Sequence, residues 1–236
     1  MCYSVESSIK TTFISLFAII YLLTSNIPHF QWIGITLIGW CGMQFDELLL
    51  WLSNPRKGCN IWNKIITLTL IPFVLMLQPL GSLFGSLYVI PWNKSTDFRK
   101  NFIIFYSIFI ILGVYFAHLY KPEKICTTIT NEGHLNWHTS NNWIKTDNVN
   151  AYFNIFAYFN IFIYFLWAFL IILPICIFWN KGYLLPFLIV VIPTFGFFTG
   201  LTTDSRASIW CHYTSYTSII ASIALLIQQN GIYKFV

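Results

Sequence analysis

The sequence predicts an all-α fold, a polytopic membrane bundle of seven transmembrane helices. The first observation is composition: 57% of the 236 residues are hydrophobic and 9% are charged, which is too little charge to cover a water-facing surface. The second is that the apolar runs approach the roughly 20 residues that a membrane-spanning helix needs. The third is that these runs lack the alternation of a β-barrel, so helices must satisfy the backbone polar groups within lipid.

The first predicted helix has the shortest apolar core, from Phe13 to Leu23, and Glu6 and Lys10 precede it. A cleaved signal peptide is the alternative interpretation. The residues Thr24–Pro28 do not provide the small-x-small site that cleavage needs, so we favour a retained membrane helix. Glu6 and Lys10 are four residues apart and can form a local ion pair.

Turn signals separate the remaining helices. Helix 2 ends in Ser53–Gly58, and helix 3 ends in Pro91–Ser95. Asn180–Gly182 makes a tight connection between helices 5 and 6, and Gly200–Ser205 joins helices 6 and 7. Residues 121–150 form the one long soluble loop, so we treat 1–236 as a single domain. The predicted spans are 5–24, 31–53, 63–90, 101–120, 151–179, 183–200 and 206–229.

Ionisable residues within the spans are the first candidates for function, because a charge at mid-bilayer costs at least roughly 2.5–3.5 kcal/mol. Most of them gather toward the amino-terminal side of the bundle. On helix 2, Gln44 and Glu47 share one helix face by their spacing. Asp46 points about 100° away from Glu47. We therefore expect Gln44 and Glu47 to face inward, and Asp46 to face a neighbouring helix or the rim.

Helix 7 carries a stripe of small and polar residues whose spacing alternates between four and three. Its members are Asp204, Ser208, Cys211, Ser215, Ser218 and Ser222. We favour close helix packing through these small residues over the alternative, the wall of a hydrated path. Arg206 and His212 flank the stripe, and Arg206 can neutralise Asp204 or reach Glu47.

Helix 3 contains Gln78 followed by Pro79 near its middle. Pro79 has no N–H, so it frees a carbonyl on the preceding turn. Gln78 can either line a path or form a hydrogen bond across helices.

The 121–150 loop contains His134 and His138, whose spacing can hold one metal ion if the segment is helical. A third ligand would have to come from another part of the chain. We therefore favour packing of the loop on the membrane surface, with Trp137 and Trp143 as interfacial anchors. We expect no metal and no other cofactor.

Cys2, Cys59 and Cys126 fall on the amino-terminal side of the predicted bundle. Two of them can pair if that side faces an oxidising space, and reduced thiols are the equal alternative. Lys and Arg do not decide the orientation, because the two sides carry equal numbers once the long loop is discounted.

Several function classes are disfavoured by what the sequence lacks. No basic stripe is present, so we expect no nucleic-acid partner. No lysine lies between Arg206 and Tyr233, so helix 7 cannot hold retinal through a Schiff base. No GxSxG motif of a serine hydrolase is present.

Five short motifs, in order along the chain, carry a family resemblance. They are Met1-Cys2-Tyr3-Ser4, Gln44-x-x-Glu47-x-x-x-Trp51, Leu77-Gln78-Pro79-Leu80, Gly133-His134-Leu135-Asn136-Trp137 and Ser208-Ile209-Trp210-Cys211. In these motifs the chain resembles an uncharacterised seven-helix family that is associated with large DNA viruses, algae and fungi. The family opens with Met-Cys-Trp-Ser, whereas this chain has Tyr3. The resemblance implies the seven-helix architecture and a host or viral membrane, and it brings no activity with it.

We expect a polar vestibule on the amino-terminal side, capped by the 121–150 loop. Its predicted members are Glu6, Gln44, Glu47, Asp204, Arg206 and His212. A pathway from it would pass Gln78, Ser208, Cys211 and Ser215.

The favoured function is a pathway for a small solute or ion, or a sensor for a small ligand. One alternative is a membrane-embedded hydrolase that uses Glu47 or Asp204 as general base with His212. Residues 44–48 look a little like the helix of alkaline ceramidases that carries Asp-Glu, but those enzymes need several helical histidines and only His212 is well placed here. The other is a structural protein of a virion or organelle membrane.

Overall fold

The computed structural model describes residues 4–119, 126–130, 133–137, 166–167, 169–174, 176–177 and 206–233. For residues 113–119, 206–210 and 212, only the backbone is described. The fold is mostly helical. Predicted helix 6 lies outside the described residues, as does most of predicted helix 5.

Five long helices and one hairpin make up most of the described chain. The helices are α1 (Val5–Leu23), α2 (Pro28–Leu52), α3 (Ile61–Val89), α4 (Asp97–Leu119) and α5 (Arg206–Gln229). Short 3-10 turns, Pro55–Lys57 and Trp92–Lys94, follow α2 and α3. Strands β1 (Thr128–Ile129) and β2 (Leu135–Asn136) pair antiparallel. The hairpin departs from the all-α prediction. The residues described at 166–177 are also helical.

Among the described residues, α1, α2 and α3 are long and apolar enough to cross a membrane. Large apolar side chains on their outer faces are exposed, including Phe13, Phe17, Phe45 and Phe84. An apolar outer face is what lipid requires. These helices make the chain compatible with an integral membrane protein.

The predicted helix boundaries differ from the observed ones where capping residues extend a helix. The second helix was expected from 31, but α2 begins at Pro28, whose fixed φ suits the first helical position. The third begins two residues early because Asn60 caps it, its Oδ1 accepting from Asn63 N at 2.9 Å. The fourth begins at Asp97, an acidic residue that suits a helix amino terminus.

The α2 and α3 helices pack antiparallel at very close range. At Gly39, a Cβ atom would lie 2.6 Å from the carbonyl oxygen of Leu77, so only glycine fits. Further along, the indole N–H of Trp32 donates to Ser82 O at 3.2 Å and to Ser86 Oγ at 3.1 Å. These hydrogen bonds fix how α2 and α3 are aligned along their length.

The carbonyl that Pro79 frees is satisfied from outside its helix, as a membrane interior requires. Leu75 O accepts a hydrogen bond from Trp167 Nε1 at 3.1 Å. The hydroxyl of Tyr106 on α4 lies between two carbonyl oxygens and shares its one hydrogen between them, Pro79 O at 3.1 Å and Leu170 O at 2.6 Å. The proline thus becomes the point where α3, α4 and the helical residues at 166–177 join.

We predict that Gly39→Ala destabilises the protein by about 1–3 kcal/mol, because the added methyl group meets the α3 backbone. The measurement is the thermal unfolding midpoint in detergent. Gly42→Ala is the matched control, since its Cβ would meet only the Val74 methyl groups at 3.3 Å. Equal midpoints for the two variants would contradict the packing described here.

Candidate functional site

A polar junction lies where α1, α2 and α5 meet, and the fully buried Gln44 is at its centre. The Gln44 amide is satisfied at both ends when its nitrogen faces α1. Nε2 then donates to Ser15 Oγ at 2.7 Å and to Thr11 O at 2.8 Å, while Oε1 accepts from Thr214 Oγ1 at 3.2 Å and Ser215 N at 3.3 Å. The opposite orientation leaves the amide oxygen facing only acceptors, so we assign the first.

The described part of the helix 7 stripe packs between helices. On α5, Cys211, Ser215 and Ser218 are buried. Ser218 Oγ donates to Ser15 Oγ on α1 at 3.3 Å. Ser222 Oγ donates to Ser218 O within its own helix at 2.9 Å. This arrangement is what the packing interpretation of the stripe predicts.

Two adjacent carboxylates of α2 are buried in the bundle: Asp46 is 2% exposed and Glu47 is 0% exposed. Gln44 and Glu47 share a face, so Glu47 lies one turn from the junction toward the amino-terminal face. This face is the end of the bundle where α1, α3 and α5 begin and α2 ends. Asp46 lies on the same side of α2 as Gly39 and Gly42, toward α3. Asp46 Oδ2 has no hydrogen-bond partner among the described residues.

The helix opposite Asp46 contains a π-turn, Ile66–Leu70, that packs against α2. Ile71 N–H donates to Ile66 O across this wider turn. Pro72 follows at once, and its ring would clash with the carbonyl of Leu68 in a regular α-helix. The wider turn avoids that clash. Turns of this kind are frequent at functional sites.

Ser8 lies one turn from Thr11 on α1, toward the amino-terminal face. Ser8 is fully buried, and its Oγ has no hydrogen-bond partner among the described residues. It therefore sits at the level of Glu47, just outside the Gln44 layer.

Glu6 lies on the surface, apart from the buried carboxylates. Its carboxylate is 2.6 Å from Lys10 Nζ, with side chains 78% and 68% exposed, which agrees with a local ion pair. The two residues line an open depression of about 400 Å³ together with Ser4, Ser7 and Thr11. Thr11 belongs to both features, because its carbonyl oxygen also accepts from Gln44. The depression therefore borders the polar junction.

Gln78 lies at the interface between α2 and α3, and it is fully buried. Its Nε2 contacts Met43 Sδ, whereas its Oε1 has no hydrogen-bond partner among the described residues. The structure thus places Gln78 at a helix interface separate from the hydrogen bonds of Gln44.

A disulfide joins Cys59, before α3, to Cys126, before β1, with 5.5 Å between the Cα atoms. Closing a loop of 67 residues removes chain entropy worth roughly 4 kcal/mol. The disulfide holds the hairpin at the amino-terminal face.

The side chain of Asn63 forms a two-way clamp beside the disulfide. Asn63 Nδ2 donates to Thr127 O at 2.9 Å, and Thr127 N donates back to Asn63 Oδ1 at 2.8 Å. Thr67 Oγ1 also donates to Asn63 Oδ1, at 3.1 Å. Sequence analysis missed this clamp. The sequence signal for it was three polar residues at helical spacing, Asn60, Asn63 and Thr67, at the start of an otherwise apolar helix.

The expectation that Trp137 anchors the loop on the membrane surface is wrong. Trp137 and Leu135 are buried in the same core as Leu50 and Trp51. The reason is that the hairpin folds onto the end of the bundle, with β2 against α5 and β1 against the turn Pro55–Lys57. His134 precedes a strand rather than lying in a helix, so the helical condition for a metal pair with His138 is not met at His134.

The remaining predicted site residues fall where side chains are not described. Asp204, His138 and Trp143 lie outside the described residues, and Arg206, Ser208 and His212 are described by backbone only. Among the described residues, no group of three or more His, Cys, Asp or Glu side chains could hold a metal ion. Of the predicted site residues whose side chains are described, Gln44, Cys211 and Ser215 lie together, and Glu47 lies one turn away.

Comparison with protein families, with curated proteins and with solved structures finds no match to the chain. The features that bear on function are therefore the polar junction, the buried carboxylates of α2 and the hairpin at the same end of the bundle.

We predict that substitution by leucine has different effects on stability at the two buried amides, Gln44 and Gln78. Gln44→Leu should cost about 1–3 kcal/mol, because it leaves polar groups of α1 and α5 without partners. Gln78→Leu should cost less or stabilise, because it removes a buried oxygen that has no hydrogen bond among the described residues.

The measurement is again the unfolding midpoint in detergent, with wild type in the same lipid and detergent mixture. A loss at Gln78→Leu as large as that at Gln44→Leu would contradict the difference in hydrogen bonding between the two amides.

Proposed function

We propose that the chain is a multi-pass membrane protein with the seven spans that its sequence predicts. We further propose that it binds a cation or a small cationic solute at the buried carboxylates Asp46 and Glu47, about one turn from the polar junction, either to carry it or to sense it. The observation that carries this proposal is the burial of Asp46 and Glu47, 2% and 0% exposed, inside a helix that is apolar enough to cross a membrane.

The energetic argument starts from the cost of a carboxylate in lipid. A charged side chain at mid-bilayer costs at least roughly 2.5–3.5 kcal/mol, and such residues line ion and solute pathways. Two adjacent buried carboxylates repel each other when both are ionised. A bound cation would reduce that repulsion and offset the desolvation of Asp46.

Unsatisfied polar atoms lie at the same end of the bundle. Asp46 Oδ2 and Ser8 Oγ are both buried without hydrogen-bond partners among the described residues. Buried polar atoms in native proteins are normally satisfied, and a ligand is one of the groups that can satisfy them. Both atoms offer lone pairs, which suits a cation or a hydrogen-bond donor.

The route to the site begins at the depression around Glu6 and Lys10. Thr11 lines that depression, and its carbonyl oxygen meets Gln44 in the junction. A solute entering there would pass from an exposed ion pair to a buried polar layer along one face of α1.

A structural role is the second candidate, and the hydrogen bonding of Gln44 favours it. All of the amide's contacts are satisfied within the bundle, as expected of a residue that only packs helices. The two candidates make different predictions for the carboxylates, because a packing role needs no ligand at Glu47.

The test is cation binding and flux in proteoliposomes that contain the full chain. Sodium, potassium and protons are the probes, and wild type is compared with Glu47→Gln and Asp46→Asn. We expect saturable binding or flux in wild type and a loss of at least about tenfold in each variant, since the neutral amides remove the buried charge.

Glu6→Gln is the matched control, because it removes an exposed carboxylate at the same end of the bundle. It should stay within about twofold of wild type, as surface charges contribute little. Binding without flux would assign a sensor. No binding and no flux in correctly folded wild type would reject the proposal and leave the structural role.

A further inference from the structure

The hairpin at the amino-terminal face is held at three points, one of them covalent. The Cys59–Cys126 disulfide ties its first strand to the start of α3. The Asn63 amide exchanges two hydrogen bonds with the Thr127 backbone, at 2.9 and 2.8 Å. At the second strand, Leu135 and Trp137 are buried in the bundle core. Both ends of the hairpin are therefore held over the end of the bundle.

The position of the hairpin relates it to the buried carboxylates. Leu135 and Trp137 belong to the same core as Leu50 and Trp51, the last turn of α2. Glu47 lies one turn deeper on that helix. The hairpin thus lies at the same end of the bundle as Glu47, with β2 against α5 and β1 against the turn Pro55–Lys57 that follows α2.

We infer that the hairpin is a lid locked by the Cys59–Cys126 disulfide, and that the amino-terminal face lies in an oxidising compartment. Disulfides form and persist in oxidising compartments and are rare where glutathione keeps thiols reduced. This inference goes beyond the proposed function, because it needs the disulfide and the buried hairpin but no ligand.

The locking step is a thiol–disulfide exchange. The thiols of Cys59 and Cys126 lose two protons and two electrons in forming one S–S bond. The oxidant is the disulfide of a protein oxidoreductase of that compartment, which is reduced to its dithiol. A small dithiol reverses the step and is itself oxidised to a cyclic disulfide.

The first test counts bonded cysteines in the full chain in its native membrane. All reduced thiols are blocked with N-ethylmaleimide in denaturant, the sample is reduced, and a polyethylene glycol maleimide is added. We expect a gel shift of two tags, which C59S and C126S each abolish and C2S leaves unchanged. No shift, or a shift that C2S removes, overturns the inference.

The second test asks whether the disulfide closes the lid. A water-soluble carbodiimide with an amine nucleophile labels accessible carboxylates, and mass spectrometry measures Glu47 and Glu6. We expect reduction, or the C59S/C126S variant, to raise labelling of Glu47 at least about tenfold through local opening. The exposed Glu6 should label equally in both states. Unchanged labelling of Glu47 in the reduced chain overturns the lid.

The third test gives the orientation. The chain is expressed in eukaryotic cells with an amino-terminal tag that carries a glycosylation acceptor. We expect a glycan that endoglycosidase H removes, because the amino-terminal face would lie in the lumen of the endoplasmic reticulum. An unglycosylated tag on disulfide-bonded protein overturns the orientation. None of the three readouts depends on cation binding, so failure here and failure of the proposed function are distinguishable.

Discussion

Every polar group inside an apolar bundle must find a partner within the protein, because lipid offers none. The Gln44 amide meets this constraint by contacting α1 and α5, which are about 200 residues apart in sequence. The Gln44 side chain is short, so α1 and α5 must both approach α2 closely at the same level along that helix. Small residues such as Ser15 and Ser218 allow that approach and form their own hydrogen bond. One amide therefore sets the positions of three helices.

The same constraint explains the other irregular points of the bundle. Pro79 frees Leu75 O, and the indole of Trp167 supplies the missing donor. The clamp formed by Asn63 satisfies the backbone of a loop that would otherwise be buried without partners. Against this pattern, Asp46 Oδ2 and Ser8 Oγ lack hydrogen-bond partners among the described residues and lie toward the amino-terminal face, whereas Gln78 Oε1 lacks one at the interface between α2 and α3. The proposed site uses the first two, which lie at the level of the buried carboxylates.

Sequence could predict the features that depend on composition and local spacing. The apolar runs predicted α1 to α3 within a few residues, and helical spacing placed Gln44 and Glu47 on one face. The partners of Gln44 could not be predicted, since one of them is a backbone carbonyl, Thr11 O, which has no sequence signal. The hairpin was missed for a related reason. Its contacts join residues about 65 apart, and the spacing of side chains along a loop does not determine such pairings.

The arrangement of charge from surface to interior constrains how a cation site here could select its ligand. At the mouth, Glu6 and Lys10 form a neutral, solvated pair, so they offer no net field to attract a cation. Selection must then occur deeper, at Glu47 and Asp46, where the apolar surroundings strengthen each electrostatic interaction. The hairpin extends that dry environment over the end of α2. Under the proposed function, removing the hairpin would weaken selectivity by admitting water to the carboxylates, even though none of its described residues supplies a carboxylate itself.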